Sequence, residues 1–429
     1  MRLIRRIRGA SRAAATGVAR LLACVCILVT IVGHLKAIRR ASAILLYPDG
    51  GFGHTLLGPD WLRRLYPAEG NLTFFGTSYD HRRHNRLITE LWKADRFIWV
   101  RQGIMLPRLG AVYDSRWSYR LFGAARRFVK WYVPNTPCHC GIDDLIAATP
   151  QPAWIAPGSP FNGRYERRYY PLRQARAAPA LRVGEPIRAR VSRRLQDRFG
   201  SDFPRSCALY VRHRGIADSA DTSSINRLSA PLDAYLPAIR VLNRAGYRVL
   251  LTGDVMAPPA MVAEREGGLV DWRAAGIDRD AFNLFAGTEV DLHVGSLSGG
   301  SAFVFVTDIP ALMLNAFAPG DAMPQTTVAY KWLYRRDGTP VELTDLLGGM
   351  FYDHQLHGCR LVDNTPEEMA ETVADFIAHL AERPYGVDPA ELGIDAPWIR
   401  AADGRLSPVW LRQYGERAQT DPEQRVATR

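Results

Sequence analysis

Strand-length apolar runs alternate with helical patterns from Ala43 to Asn315, and small-residue turns follow several of the runs. Together these predict an α/β fold built on parallel sheets. The runs are apolar throughout rather than alternating, as expected of strands covered by helices on both faces. At 429 residues the chain has room for two domains with full-sized cores.

In the first half, Ala43 to Tyr47 reads as a strand that runs into Pro48-Asp49-Gly50-Gly51-Phe52-Gly53-His54. A helix pattern follows from Thr55 to Leu65, with Leu56, Leu57, Trp61, Leu62 and Leu65 on one face. Leu72 to Gly76 is a second strand, Arg83 to Trp92 a helix and Arg96 to Arg101 a third strand. Gly50, Gly51 and Gly53 do not match the G-x-G-x-x-G spacing, and no P-loop lysine follows. Asp49 within the turn and His54 beyond it are candidate bases, although a histidine at a helix start also serves as a cap or surface residue. Residues 105–170 are rich in aromatics and arginine but weakly periodic. They fit an acceptor-binding face, a membrane-facing patch or an irregular insertion equally.

In the second half, Cys207 to Val211 is a strand ending on Arg212-His213-Arg214-Gly215, followed by a polar loop that holds Arg227. A helix from Leu232 to Ala245 leads to a strand, Tyr247 to Leu251, that ends in Thr252-Gly253-Asp254. A helix around Pro259 to Glu266, a short strand from Leu269 to Trp272 and a helix from Asp280 to Gly287 come next. Val290 to Val294 is then a strand entering a turn made of Gly295, Ser296, Ser298, Gly299, Gly300 and Ser301, with Leu297 between. A helix start, a strand from Ala311 to Asn315 and an amphipathic helix from Pro366 to Leu380 complete the pattern. Glycines let backbone approach a ligand closely, and N–H groups at a helix start favour an anion, so the 295–301 turn is a candidate anion cradle. An ordinary strand-to-helix connection with serine as cap is the plainer reading. Arg212 and Arg214 at a strand's carboxyl end suit bidentate grip of a pyrophosphate, against the alternative of surface cations.

The expected architecture is therefore two Rossmann-like domains facing across a cleft, behind an N-terminal hydrophobic helix. The divisions are 1–40, a basic membrane-associating helix; 41–204, an acceptor domain; 205–385, a donor domain; and 386–429, a tail. No metal site is expected. Cys138-His139-Cys140 has no second pair at zinc spacing, and Asp278-Arg279-Asp280 precedes a helix, where an aspartate caps. Cys207 opens an apolar strand and reads as core.

The formal net charge of +12 does not describe a basic surface. Residues 1–40 hold nine cations and no acid, which leaves the rest of the chain near +3 and argues against nucleic acid as a partner. Leu21 to Gly33 is apolar but too short to span a bilayer without including Arg20. A basic helix lying on an anionic membrane surface is favoured over a short spanning anchor, a signal peptide or a buried helix.

Several stretches carry a family resemblance: CALYVRHRG, the SSINR loop, GYRVLLTGD, DLHVGSLSGGSAFVFVTDIPALMLN and the early GGFGHTLLGPD. From Ala43 to Asn315 the chain resembles bacterial surface-polysaccharide glycosyltransferases similar to the fucosyltransferase-like GT-B enzymes. The resemblance implies a nucleotide-sugar donor, a cell-surface glycan or lipid-linked acceptor and no cofactor; donor availability then favours the cytoplasmic face of a bacterial inner membrane. It places Arg212 and the 295–301 turn at the donor and the early glycine loop, with Gly51 and Gly53, on the acceptor side; Arg214, Gly253 and Asp254 are further candidates for the donor and Arg227 for the acceptor. Tyr210 stands where the related enzymes have histidine, and Thr252 where they have arginine, which puts fucose in doubt. The same departures motivate the alternative of a non-catalytic, membrane-associated scaffold on a degenerate transferase fold.

Overall fold

A computed structural model describes residues 25, 28–47, 52–67, 70–77, 85, 87–92, 97–102, 115–152, 166–201, 204–211, 231–253, 257, 268–296, 299–317, 322–348 and 359–419. The chain divides into two compact units, 1–179 and 180–429.

The first unit is built on four parallel strands: β1 (Ala41–Tyr47), β2 (Asn71–Thr77), β3 (Phe97–Gln102) and β4 (Cys138–Cys140). Their order is β3-β2-β1-β4, so the chain winds outward from β1 in one direction and then returns to its other side. β1 is apolar because both of its faces are covered. On one face Ile44 and Leu46 pack with Ile31 and Ile38 from the N-terminal helical segment and with Phe122, Ala125 and Val129 from the helix Ser115–Tyr132. On the other lies the helix Phe52–Leu65. Within that helix a Cβ on Gly58 would stand 3.2 Å from the Tyr47 ring and 3.3 Å from Leu45, so the glycine lets helix and strand approach closely.

The helix starts earlier than the sequence pattern indicates, and takes Gly53 and His54 into its first turn. The helix Ser115–Tyr132 and the strand β4 fall in the stretch that supported no assignment. Among its described side chains the helix buries a narrow stripe of Phe122, Ala125 and Val129 beside arginines, and the strand has three residues, too short to show a period.

Asp60 is fully buried in this unit and faces two guanidiniums. Arg63 donates to Oδ1 at 2.7 Å and Arg64 to Oδ2 at 2.6 Å, and the Tyr169 hydroxyl donates to Oδ2 as well. Arg64 also donates to the carbonyl of Arg176 at 2.6 Å, which ties the helix Glu166–Ala175 onto the first helix. Burial alone would raise the Asp60 carboxyl, but the guanidiniums of Arg63 and Arg64 and the hydrogen bonds from Arg64 and Tyr169 hold it below the usual carboxylate range.

The second unit has a seven-stranded parallel sheet and a small antiparallel ribbon. Its strands are β5 (Arg205–Tyr210), β6 (Tyr247–Thr252), β7 (Leu269–Val270), β8 (Leu292–Gly295), β9 (Ala311–Ala316), β10 (Thr326–Tyr330), β11 (Trp332–Tyr334), β12 (Arg360–Val362) and β13 (Arg405–Leu406). The sheet order is β13-β10-β9-β8-β5-β6-β7, and β11 and β12 form the ribbon. Leu232–Tyr235 is a 3-10 turn that opens the helix Leu236–Arg244. β7 stops at Val270 because Asp271 caps the helix Trp272–Ala275, its Oδ1 accepting from the N–H of Ala274 at 2.7 Å. Asp278 caps the helix Arg279–Thr288 in the same way, accepting from Asp280 and Ala281. The helix expected around Pro259 to Glu266 lies outside the described residues.

Two divisions differ from those expected at 204/205 and 385/386. Residues 180–204 join the second unit: Leu181 donates its N–H to Val306 at 2.8 Å, and Val183 to the Glu289 carboxylate at 2.9 Å. Their helix, Glu185–Phe199, is so charged that Val191 and Leu195 alone mark its buried side. Residues 386–419 are integral rather than a tail. β13 pairs with β10, and Trp410 of the helix Pro408–Gln419 stacks on Trp332 and donates its indole N–H to the Tyr330 carbonyl at 2.8 Å. A two-residue edge strand carries no alternation from which it can be recognised. No helix among the described residues is long and apolar enough to cross a membrane, and most of the N-terminal apolar run lies outside them.

Asp60→Asn leaves two buried guanidiniums short of a partner and should destabilise the first unit by roughly 3 kcal/mol near neutral pH. Because the folded carboxyl is depressed, its contribution is present above the unfolded value of about 4 and is lost as pH falls through the folded value. Urea unfolding from pH 7 down to acid should therefore show wild type and Asp60→Asn converging below about pH 4.

Candidate functional site

Doubly wound sheets bind ligands outside the carboxyl ends of the strands, where the winding direction reverses. In the second unit that reversal lies between β5 and β8. The two strands stay paired to their last residues, Tyr210 beside Gly295. Gly295 has φ +146°, and a Cβ there would sit 2.0 Å from the Tyr210 carbonyl oxygen. Only glycine fits. The next N–H, of Ser296, donates to that same carbonyl at 2.9 Å. The candidate turn thus leaves the sheet at the switch point, beside the strand that continues toward Arg212.

The turn itself is built differently from the expectation. Gly299–Phe305 is a 3-10 helix of seven residues, not the start of a longer α-helix. Ser296 and Ser301 are buried, as are Ala302, Phe303, Val304 and Phe305, so this segment is anchored in the core by its own apolar side chains. The cradle envisaged from α-helix N–H groups is accordingly reduced to a short tight turn. Gly253, at the end of β6, has φ +94°; a Cβ there would meet the Tyr210 ring at 2.9 Å, and its N–H donates to the Asn283 side chain at 3.2 Å. Its missing side chain makes room for Tyr210. Arg212, Arg214, Arg227, Asp254 and Ser298 lie outside the described residues.

A polar group that the sequence reading missed braces the carboxyl ends of β9 and β10. Asn315, at φ +53°, accepts at its side-chain oxygen from the N–H of Asn364 at 2.7 Å, and its own N–H donates back to the Asn364 side chain at 3.3 Å. Asn364 also donates to the Tyr330 carbonyl at 2.9 Å. Lys331, directly after β10, is 1% exposed and pairs with Asp363 at 2.6 Å. The Tyr235 phenol is buried beside Asn315 and Ser296 without a hydrogen bond of good geometry to either, and burial pushes it up to about 12. One signal was available in the sequence: Lys331 is one of four lysines in an arginine-rich chain and directly follows an apolar run. The Lys331 charge is met by Asp363, so this group is a frame around the site rather than a source of free positive charge.

His293 precedes the turn on β8, but burial lowers it to about 4, and its Nε2 lies 3.2 Å from the Gly287 carbonyl, to which it donates. Burial thus favours its neutral form and makes it a weak base. Cys207 is buried in the sheet as expected, its thiol pushed up by burial.

In the first unit the reversal lies between β1 and β4. The glycine turn follows β1 there, with Asp49 and Gly51 outside the described residues; Gly53 and His54 are placed by backbone alone. Cys138-His139-Cys140 is β4 itself. Burial raises the two thiols to about 12 and about 11, and His139 Nε2 lies 2.7 Å from the Tyr66 hydroxyl. Three potential metal ligands are not gathered anywhere among the described residues.

A scan against protein-family models gave no match, and neither did a search of curated proteins. Among solved structures, the chain is similar to the E. coli ADP-heptose LPS heptosyltransferase II, at 14% identity and TM-score 0.43 over 79% of this chain and 100% of that one. It is also similar to a family 9 glycosyl transferase from Veillonella parvula DSM 2008, at 10% identity and TM-score 0.35 over 64% and 80%. A third is the E. coli heptosyltransferase WaaC with ADP, at 13% identity and TM-score 0.33 over 67% and 90%. None of these three is a fucosyltransferase. Likenesses this distant do not carry an activity from one chain to another.

Gly295→Ala should cost at least about 2 kcal/mol, because the clash is with backbone rather than with a movable side chain. Asp363→Ala, which strands a buried ammonium, should cost roughly 3 kcal/mol. Chemical denaturation checks both; a loss under about 0.5 kcal/mol in either, the range of ordinary surface substitutions, would contradict these contacts.

Proposed function

We propose that the protein is a metal-independent glycosyltransferase of GT-B type, transferring a sugar from a nucleotide-sugar donor to a cell-surface glycan or lipid-linked acceptor. The observation that supports it best is the 295–301 turn leaving the second unit's sheet at its winding reversal, next to the strand that leads to Arg212. With Ser296 and Ser301 buried, donor contact by this turn falls to residues 297–300. Arg212 and Arg214 would take the diphosphate and neutralise the charge that develops as the nucleoside diphosphate departs. A base, His54 or Asp49, would take the acceptor hydroxyl proton. Metal independence rests on that pair of arginines and on Asp278, whose carboxylate is spent capping a helix. We place the protein at the cytoplasmic face of a bacterial inner membrane, where nucleotide sugars are available.

Release of nucleoside diphosphate from a panel of nucleotide sugars tests this reading. One donor should turn over, at a rate that EDTA leaves unchanged, and Arg212→Ala should lower kcat/KM by roughly 10²-fold or more. No turnover with any donor, together with no thermal stabilisation by any nucleoside diphosphate, would leave the scaffold alternative standing.

A further inference from the structure

The N-terminal helical segment presents two apolar surfaces, one toward the protein and one away from it. One is sealed: Ile31 and Ile38 are 1% and 0% exposed, packed with β1 and the helix Ser115–Tyr132. The other is open. Val25, Leu28, Val29 and Val32 are 48%, 49%, 65% and 55% exposed, and their placement at i, i+3, i+4 and i+7 puts them on one helix face. Trp131 is 77% exposed, its ring 5.9 Å from that of Phe128, which packs against the cluster holding Ile31. Among the described residues, Leu392 is the one other large apolar side chain exposed in this way. Exposed cations accompany both elements: Lys36, Arg39 and Arg40 on the first, Arg127 and Lys130 on the second.

We propose that this face docks the first unit onto an anionic bilayer surface, with the valine–leucine stripe and Trp131 entering the headgroup region and the cations meeting lipid phosphates. Two other occupants fit less well. A second copy docked on this face would bring Lys36, Arg39, Arg40, Arg127 and Lys130 near the same cations of its partner, so like charges would repel. A spanning helix would expose every face to lipid, yet Ile31 and Ile38 hold one face inside the protein core. Tryptophan on a separate helix is the residue expected at a membrane–water boundary, with an apolar body and a polar N–H. The dock is thus part of the folded unit rather than a tether, and it fixes which side of the sheet faces lipid.

Sedimentation of the full chain with phosphatidylcholine vesicles, with and without phosphatidylglycerol, tests the dock and needs no donor turnover, so it stands or falls separately from the transferase reading. Wild type should bind only the anionic vesicles, less as salt is raised. Leu28→Asp with Val29→Asp, and separately Trp131→Ala, should weaken binding by about tenfold or more. Lys36→Glu with Arg39→Glu and Arg40→Glu should abolish the preference for phosphatidylglycerol. These side chains are exposed, so an unchanged thermal midpoint certifies the fold of each variant. The proposal is overturned if the variants bind like wild type, or if membrane-bound protein resists alkaline carbonate extraction, which would mark a spanning segment. It is also overturned if vesicles are ignored while the aspartate variant splits a dimer.

Discussion

The second unit is organised by one close approach, between residue 295 and the carbonyl of Tyr210. The winding reversal of a parallel sheet normally opens a crevice because neighbouring connections leave on opposite faces. Here the two strands remain hydrogen-bonded to their ends, and the N–H of Ser296 closes the last link. A side chain at 295 would break that closure, so the residue type, its positive φ and the direction of the following turn are one constraint. Tyr210 carries it sideways, since its ring occupies the space left by Gly253 at the end of β6. Three strand ends are locked by two glycines and one tyrosine.

The first unit meets the same problem with different chemistry. Its glycine turn follows β1 at the reversal beside β4, and Gly58 brings the helix after that turn against Tyr47 and Leu45. Hydrophobic contact alone would let such a helix slide along the strand. The Asp60 cluster gives it a register: a single buried carboxylate takes donors from Arg63, Arg64 and Tyr169, and Arg64 also reaches the carbonyl of Arg176. A buried charge of this kind is costly unless every partner is in place, so it favours one arrangement over nearby alternatives more than it adds to stability.

Elements with a strong period were legible in the sequence. β1, β5, β6 and β9 are continuous apolar runs and appear within a residue or two of where the pattern puts them. Elements whose burial is narrow or brief were not. Among its described side chains the helix Ser115–Tyr132 buries Phe122, Ala125 and Val129 beside arginines, and β4 and β13 are too short to alternate. The candidate site divides along the same line. Glycine and serine at 295–301 could be read because a turn needs them locally. The brace of Asn315, Asn364, Lys331 and Asp363 could not, because its members meet only after β9, β10 and β12 have folded. The 3-10 form of Gly299–Phe305 escaped for a related reason: glycines and serine mark a helix start but not how far it runs, and the segment is held by burial of Ala302 to Phe305.

The electrostatics of the strand ends give the frame and the connecting loops different tasks. Lys331 brings a positive charge to the carboxyl edge of the sheet, but Asp363 neutralises it at 2.6 Å. His293 is held neutral by burial, and Asp278 and Asp271 are engaged as caps. The described frame therefore supplies backbone and paired charges with little net field of its own, and the Tyr235 phenol within it lacks a well-formed hydrogen bond. Under the proposed function, the positive charge for an anionic donor comes from Arg212 and Arg214, in the sequence that follows β5. That separation suits a transferase, in which a preorganised frame fixes where charge develops while loop residues set which ligand is held. The +12 of the whole chain is likewise a poor guide to the chemistry of the strand ends, because nine of the excess cations belong to the first forty residues of the sequence.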